Sequence, residues 1–310
     1  MDSEAKKNVT PCVSVILFVH APYARFLSQS LGSILQQSYH SLEVIVLGDG
    51  STAVKEALGP FKEDTRWSLW SQGDKPFLQA ANERMKECRG EYLGTWNSDD
   101  IYNEDHVRLL VQALEDDSGL GAAFDNMEYF TAENSSLDMV VPKHRVKYLA
   151  SSRLSVQDIF RENFMTGPSS LIRKTAIERV GGYDKDIFLN CDLHWFYRIA
   201  AYFPVRFVDY VGVRKRIHPL NNTAANPHYE YGARELEHIR SHYPDVYRRI
   251  GSKVFNKKLG RKYYRLGLYY EKRGEARRAR GMYWEAMALR PWSLRYSWEY
   301  FRSCVLSAYR

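Results

Sequence analysis

Residues 90–102 read Gly-Glu-Tyr-Leu-Gly-Thr-Trp-Asn-Ser-Asp-Asp-Ile-Tyr, and in them a short apolar strand runs directly into two adjacent carboxylates. Successive side chains of a strand point to opposite faces, so Asp99 and Asp100 can serve one ligand only if the strand breaks into a turn at Asn97 and Ser98. Mg²⁺ and Mn²⁺ prefer hard oxygen ligands, and Mg²⁺ is usually held by one or two carboxylates together with substrate phosphates. The stretch therefore predicts a cation site at a strand end. A local alternative is that Ser98, Asp99 or Asp100 caps a following helix.

Apolar runs and helical spacings alternate along the first hundred residues. Short apolar runs predict buried strands at residues 13–19, 42–47, 67–70 and 92–96. Apolar residues at helical spacing predict helices over residues 26–35, 54–61 and 77–88. This β-α-β-α-β-α-β order predicts an α/β fold with a mostly parallel sheet flanked by helices, and a ligand crevice at the carboxyl ends of its strands. Polar clusters at residues 48–52 and 97–100 both follow predicted strands, so we expect them to form one site.

The first polar cluster, Gly-Asp-Gly-Ser-Thr at residues 48–52, has its own chemistry. The Asp49 carboxylate, in a glycine-flanked turn, can accept hydrogen bonds from a pyrimidine N–H or from ribose hydroxyls, and Gly50 leaves the backbone open to close approach. The local alternative is a strand-to-helix loop with Ser51 or Thr52 as N-cap. The sequence contains neither GxGxxG nor GxxxxGKS/T, which disfavours a Rossmann dinucleotide site and a P-loop.

Composition narrows the protein class. The chain has 310 residues and 45% apolar content, which suits one α/β domain with an appendage. The four cysteines lie far apart and form no CxxC pair, which disfavours a zinc ribbon or a disulfide framework and favours a reducing compartment. No run approaches the roughly 18 apolar residues of a membrane span, and residues 1–10 lack the apolar core of a signal peptide. We therefore expect a cytoplasmic protein with at most peripheral contact to the inner face of a membrane.

The net charge of +7 is unevenly distributed. Residues 251–310 contain 15 Lys or Arg against 4 Glu, whereas the remainder contains 29 basic against 33 acidic residues. The acidic part carries the paired carboxylates, as a cation-dependent enzyme would. We therefore expect no nucleic-acid partner.

Taken together, these motifs resemble the inverting glycosyltransferases of family 2, which have the GT-A fold. The resemblance covers residues 14–19, 33–37 and 43–52, the Ala-x-Asn pair at residues 80–82, and the Gly-Glu-Tyr strand with its Asn-Ser-Asp-Asp ending at residues 90–100. It implies a catalytic domain over residues 1–225 and an α-helical extension over residues 226–310. Within the catalytic domain, it implies a donor-nucleotide half over about residues 10–100 and an acceptor half over about residues 101–225.

The resemblance also implies roles for single residues. Asp49 would hold the uridine of a nucleotide-diphosphate sugar, and Asp99, as the last acid of a DxD motif, would bind Mn²⁺ or Mg²⁺ on the donor diphosphate. Further donor contacts are implied at Val19, His20, Asp74, Asn82, Asn97 and Ser98. An Arg-x-His sequence at residues 216–218 resembles the end of the family's catalytic domain and makes His218 a second candidate metal ligand. The alternative for His218 is a solvated or locally bonded imidazole.

The acceptor side is implied by residues 160–173, 180–184 and 190–195, which resemble a segment where an acid pair begins a helix. Cys191 stands where the family commonly has Glu, but Asp192 is present. The apolar spacing that follows predicts that Asp192 lies in the first helical turn. The resemblance makes Asp192 the general base. The alternative is that it only complements the helix dipole, which contributes about 0.3–1 kcal/mol.

The expected function is metal-dependent, inverting transfer of one sugar from a nucleotide-diphosphate sugar to a hydroxyl of a glycan or lipid-linked glycan. The resemblance implies that the donor is a UDP-linked sugar. The processive members' Gln-x-x-Arg-Trp motif is missing, which favours single-sugar addition. Two alternatives stay open. One is a sugar nucleotidyltransferase. The other is a catalytically silent adaptor, because Gly48, Asn97 and Cys191 replace family acids.

The C-terminal extension shows helical spacing before and after Gly274, and residues 263–291 resemble a single tetratricopeptide repeat. A free-standing solenoid needs about three repeats, so we expect a helical hairpin packed on the catalytic domain. One interpretation of its basic face, together with Trp292, Trp298, Tyr300 and Phe301, is contact with an anionic membrane near a lipid-linked acceptor. A solvated charged face is the other.

Overall fold

The computed structural model describes residues 12–131, 136–150, 153–162, 164–221 and 228–308. The predicted start of the donor half near residue 10 and the predicted boundary between residues 225 and 226 lie outside these ranges. Within them, no helix combines the length and the apolar character needed to cross a lipid bilayer.

The first part of the chain alternates strands and helices as predicted. Its elements are β1 (Val13–Phe18), α1 (Ala24–Leu35), β2 (Leu42–Gly48), α2 (Thr52–Leu58), β3 (Trp67–Ser71), α3 (Phe77–Glu87) and β4 (Tyr92–Asn97). Residues 13–17 of β1 are fully buried because helices cover both faces of the sheet. Helix α1 buries Leu27, Leu31 and Ile34, which recur at the spacing of one helix face.

The second part of the chain inserts antiparallel strands that the sequence pattern did not predict. Its elements are β5 (Ile101–Tyr102), α4 (His106–Glu115), β6 (Ala122–Phe130), β7 (Ser136–Met139), α5 (Lys143–Ala150), β8 (Arg153–Leu154), α6 (Val156–Arg161), β9 (Ser170–Arg173), α7 (Lys174–Val180), α8 (Cys191–Tyr202) and β10 (Val205–Arg216). The strands form one sheet in the order β3-β2-β1-β4-β9-β6-β10-β5, with β7 beside β6 and β8 beside β10. Strands β3, β2, β1 and β4 are parallel, as are β6 and β10, whereas β9 runs antiparallel between β4 and β6.

The long strand β10 brings distant parts of the chain together. It is parallel to β6 and antiparallel to β5, where Arg214 lies opposite Ile101 and Val213 opposite Tyr102. Because β5 begins directly after Asp100, this pairing carries the residues that follow β10 to the turn containing the two carboxylates.

Five helices follow β10 in the described part of the chain: α9 (His228–His242), α10 (Pro244–Ile250), α11 (Ser252–Lys272), α12 (Ala276–Leu289) and α13 (Leu294–Ala308). The first three share a hydrophobic core with α6 and α8, and the fully buried Phe255 stacks on Phe160 at 5.3 Å between ring centroids. A smaller core around Tyr264 and Tyr283 joins α11 to α12 and α13. The extension is therefore packed on the sheet domain rather than standing apart from it.

Candidate active site

The carboxyl ends of β2, β1 and β4 lie side by side. In register, Phe18 at the end of β1 lies opposite Leu47 on one side and Asn97 on the other. Asp49 follows β2 and Asp99 follows β4, so the two acids flank the loop that leaves β1. This is the strand edge at which parallel α/β sheets bind ligands.

Asp49 holds the loop after β1 in place. One carboxylate oxygen accepts a hydrogen bond from the backbone N–H of Ala21 at 3.1 Å, and the other accepts from that of Ser51 at 3.0 Å. Desolvation raises the pKa of Asp49, but these hydrogen bonds outweigh it and hold the pKa below the usual value. The side chain is exposed, and because a carboxylate has about four acceptor positions, it retains capacity for a ligand. Ser51 stands at the N-cap position of α2, yet its side chain makes no capping hydrogen bond.

The glycine at position 48 is explained by its neighbour. A Cβ atom there would lie 2.6 Å from Cγ1 of Val19 and 3.1 Å from the Val19 carbonyl oxygen. Val19 is fully buried, and its N–H donates to the carbonyl of Leu47 at 3.0 Å. A side chain at position 48 is therefore excluded by the packing of Val19, whose own side chain is closed to a ligand.

An aromatic cluster begins at His20, whose charge acts to lower the pKa of Asp49. The His20 ring lies 5.3 Å from that of Phe77, which in turn contacts Phe18 edge-on at 4.8 Å. Asp74 lies exposed in the loop between β3 and α3. The amide of Asn82 donates to the Tyr183 carbonyl at 2.8 Å and accepts from the Tyr183 N–H at 2.7 Å. It joins α3 to the predicted acceptor segment, and its contact with a donor stays a prediction.

The turn after β4 corrects one sequence-based alternative. Residues 98–100 lead into β5, and the next helix, α4, begins only at His106 with Asp105 as its N-cap residue. Ser98, Asp99 and Asp100 therefore cap no following helix, and the capping interpretation of these residues is wrong.

Asp99 faces residues that come from beyond β10. Its Oδ2 lies 3.1 Å from Nε2 of His218 and accepts from the side-chain amide of Asn221 at 3.2 Å. The rings of Tyr23 and Phe26 lie against His218, with centroid distances of 5.4 and 4.9 Å. Tyr23 belongs to the loop that Asp49 holds through Ala21, so the two acids border the same loop.

Asp100 is buried behind Asp99. Its Oδ1 accepts the Arg216 N–H at 3.2 Å, and its Oδ2 is buried without a hydrogen-bond partner among the described residues. Burial, assisted by the negative charge of Asp99, raises the pKa of Asp100 to about 7. Ser98 is also buried and its hydroxyl lacks a partner in the described part of the chain, whereas Asn97 is partly exposed.

Three residues that sequence reasoning missed complete this side of the site. The Arg216 guanidinium donates to the Asp99 carbonyl at 3.2 Å and lies 4.6 Å from the Phe26 ring centroid. Asn221 contacts both Asp99 and His218, and Tyr23 covers the imidazole. The Arg-x-His sequence was the only signal for Arg216, and nothing in the sequence pattern singled out Asn221 or Tyr23.

The donor set around Asp99 fits a divalent cation. The Asp99 carboxylate and the His218 imidazole could each supply a ligand, and Asp100, the next residue after Asp99, has a buried carboxylate oxygen without a partner among the described residues. Carboxylate oxygens are ligands that Mg²⁺ and Mn²⁺ prefer.

Asp192 lies in the first turn of α8, as predicted. Its Oδ2 accepts from the N–H of Gly167 at 3.4 Å, and a Cβ atom at Gly167 would lie 2.8 Å from the carbonyl oxygen of Thr95 in β4. Tyr183 also reaches β4, donating from its hydroxyl to Oγ1 of Thr95 at 2.9 Å. Through Gly167, Asp192 is therefore linked to β4, the strand that leads to Asp99.

The C-terminal helices contribute a further acid near Asp192. Asn190, the residue before α8, has a left-handed backbone with φ of 60° and donates from its amide to Oε2 of Glu235 in α9 at 3.2 Å. Burial raises the pKa of Glu235 to about 7, and the charge of Asp192 adds to the rise. Glu235 thus ties the start of α8 to α9, and the sequence pattern gave no sign of it.

Comparison with known proteins agrees with this geometry. The family model described as Glycosyl transferase family 2 matches residues 14–181. An uncharacterized glycosyltransferase of Rickettsia typhi is 25% identical over 242 residues, which cover 74% of this chain and 72% of the relative.

Solved structures share the fold. The crystal structure of S. aureus TarS 1–349 in complex with UDP-GlcNAc superposes with a TM-score of 0.65 at 11% identity, covering 90% of this chain and 81% of that one. The mannosyltransferase PcManGT from Pyrobaculum calidifontis, in complex with GDP-Man and Mn²⁺, gives a TM-score of 0.56 at 17% identity, covering 98% and 82%.

Proposed function

The chain belongs to glycosyl transferase family 2, and on that basis we propose that it transfers one sugar from a UDP-linked donor to an acceptor hydroxyl, with inversion and with the help of Mn²⁺ or Mg²⁺. The observation that carries the proposal is the meeting of Asp99, His218 and Asn221 at the strand edge that also carries Asp49.

On the donor side, each residue has a defined task. Asp49 and the His20 and Phe77 rings offer an acceptor and an aromatic surface to a nucleobase and its ribose. Asp99 and His218 would hold the cation, which supplies Lewis-acid stabilisation of the charge that develops on the leaving diphosphate. Arg216 and Asn221 orient these ligands by binding the Asp99 carbonyl and carboxylate.

On the acceptor side, Asp192 would accept the proton of the attacking hydroxyl. The Gly167 N–H fixes one of its carboxylate oxygens, and the helix start that carries it is tied to Glu235 through Asn190. Attack from the face opposite the leaving group then inverts the anomeric centre in one displacement. A general base of this kind contributes roughly 10²- to 10⁴-fold to the rate.

We propose that the acceptor is a glycan or a lipid-linked glycan and that the C-terminal extension lies close to where this acceptor binds. Trp292 and Trp298 are 75% and 67% exposed, and residues 251–310, in which they lie, are strongly basic. Exposed tryptophans beside basic residues favour the headgroup region of an anionic bilayer.

The test is a panel of nucleotide sugars, each with Mg²⁺ or Mn²⁺, assayed for release of nucleoside diphosphate. Release of UDP from one donor, dependent on the cation, is the expected result. Formation of UTP and a sugar 1-phosphate when pyrophosphate is added would identify a nucleotidyltransferase. No turnover with any donor and acceptor, together with no thermal stabilisation by UDP, would contradict the proposal.

A further inference from the structure

A second cluster of metal-ligating side chains lies away from the donor site, where three separate segments meet. It consists of Asp184 in the loop after α7, His194 in α8 and His238 in α9. One ligand atom from each residue lies within 4.8 Å of the other two. Two imidazoles and one carboxylate are a ligand set that suits Zn²⁺.

The His194 side chain has no place in the surrounding hydrogen-bond network. It is fully buried, and both ring nitrogens lack a partner among the described residues. Buried polar groups are normally paired, because leaving one unpaired costs free energy. Its ring nitrogens are therefore available to a metal, and one of them lies within 4.8 Å of ligand atoms of Asp184 and His238.

The other two ligands already converge. Oδ2 of Asp184 lies 2.8 Å from Nε2 of His238 and accepts the hydroxyl of Tyr243 at 2.5 Å. These contacts account for Asp184, His238 and Tyr243. They leave His194, whose ring lies 5.9 Å from that of His238, without a polar partner in the described part of the chain.

One nearby charge opposes a cation. The guanidinium of Arg198, one turn beyond His194 on α8, lowers the pKa of that imidazole. Its nitrogens, however, donate to the backbone carbonyls of Val180 and Gly182, which hold it in the wall of the cluster. The Asp184 carboxylate lies close enough to offset part of its charge.

We propose that Asp184, His194 and His238 form a structural Zn²⁺ site, with Tyr243 or water as the fourth ligand, which fastens the extension helix α9 to the acceptor helix α8. Zinc in proteins is usually four-coordinate and tetrahedral, and the free energy of binding a metal to a site that exists only in the folded chain adds directly to folding. The site is independent of the donor cation, which Asp99 and His218 would hold.

The experiment is calorimetric titration of the chelator-treated full chain with Zn²⁺, in the presence of excess Mg²⁺ so that the donor site is occupied. We expect one tight Zn²⁺ site per chain and a rise in melting temperature on zinc addition. His194→Asn and His238→Asn should each weaken Zn²⁺ binding by more than about 100-fold, since changes to residues that only hydrogen-bond to the metal ligands already cost about 10- to 100-fold. The matched control is His40→Asn, which removes an exposed imidazole and should leave binding unchanged.

Two further readouts keep the proposal open to refutation if one variant misfolds. Co²⁺ in place of Zn²⁺ should give the intense visible absorption of a tetrahedral site in the wild type and lose it in Asp184→Asn. The proposal would be overturned if the wild type and folded His194→Asn bound Zn²⁺ with equal affinity. It would also be overturned if Asp99→Asn lost Zn²⁺ binding while His194→Asn retained it. Neither outcome depends on sugar transfer, so failure here is distinct from failure of the proposed function.

Discussion

Replacing Glu235 by glutamine should change how the stability of the protein depends on pH. Glu235 is 3% exposed, accepts from Asn190, and has a second carboxylate oxygen without a partner in the described part of the chain. Burial raises its pKa from 4.5 to about 7, although Lys262 and Lys258 act to lower it. The folded protein therefore retains this proton over a pH range in which the unfolded chain has released it.

The difference in the pKa of Glu235 between the folded and unfolded states sets both the direction and the size of the pH effect on stability. Below about pH 4.5 the carboxyl is protonated in both states and its contribution to stability is complete. As the pH rises towards 7, only the unfolded chain releases the proton, so the free energy of unfolding falls. Each pH unit between the two pKa values corresponds to 1.36 kcal/mol, which gives a loss of about 3 kcal/mol. In the Glu235→Gln variant, the side-chain amide would keep an acceptor for Asn190 and carry no proton to lose.

The assay is urea denaturation of wild type and Glu235→Gln at about pH 4.5 and about pH 7.5. The variant should gain about 3 kcal/mol relative to wild type between the two pH values. Glu56→Gln, at an exposed position of α2, should show no such gain. An identical pH dependence in wild type and Glu235→Gln would refute the assignment of a buried, protonated carboxyl.

Four further predictions concern the site and its surroundings. Asp99→Asn should abolish Mn²⁺-dependent binding of UDP, measured by calorimetry. Asp192→Asn should bind UDP normally but lower kcat by roughly 10²- to 10⁴-fold in a transfer assay. Gly212→Ala should lower the free energy of unfolding by about 3 kcal/mol, measured in urea, because its Cβ would overlap Oδ2 of the buried Asp125. Trp298→Ser should weaken sedimentation of the protein with anionic vesicles.

Three control variants accompany these changes. Asp116→Asn removes an exposed acid and should leave UDP binding intact. Gly281→Ala, in α12 with no atom within 4 Å of the added Cβ, should stabilise the protein by up to about 1 kcal/mol. Trp70→Ser, on β3, should not alter vesicle binding. Metal-dependent UDP binding by Asp99→Asn or normal turnover by Asp192→Asn would contradict the roles assigned to these acids. An unchanged free energy of unfolding in Gly212→Ala would contradict the predicted overlap with Asp125. Undiminished sedimentation of Trp298→Ser would contradict the membrane contact.

Sequence patterns predicted the first half of the fold well, because each element there is specified locally. The buried runs of β1, β2 and β4 and the helical spacing of α1 and α3 each indicate one conformation, and the strand ends then place Asp49 and Asp99 at one edge. Asp192 in the first turn of α8 follows from the same kind of periodicity.

The parts that were not predicted depend on contacts between distant residues. Strand β9 enters between β4 and β6 against the chain order, and β10 carries Arg216 and Asn221 to Asp99 from more than a hundred residues away. The glycine at position 48 makes sense only beside the Val19 side chain. Glu235 reaches Asn190 only because α9 packs on α8, and no spacing rule in the sequence connects them.

The central claim is that the acids at positions 49, 99 and 192 surround one donor pocket, and a crystal structure of the protein with UDP and Mn²⁺ tests it most directly. We predict that the uracil and ribose lie at Asp49, that Mn²⁺ is bound by Asp99 beside the diphosphate, and that Asp192 faces the open side of the terminal phosphate. A nucleotide bound away from the ends of β2, β1 and β4, or Mn²⁺ bound without Asp99, would contradict the account.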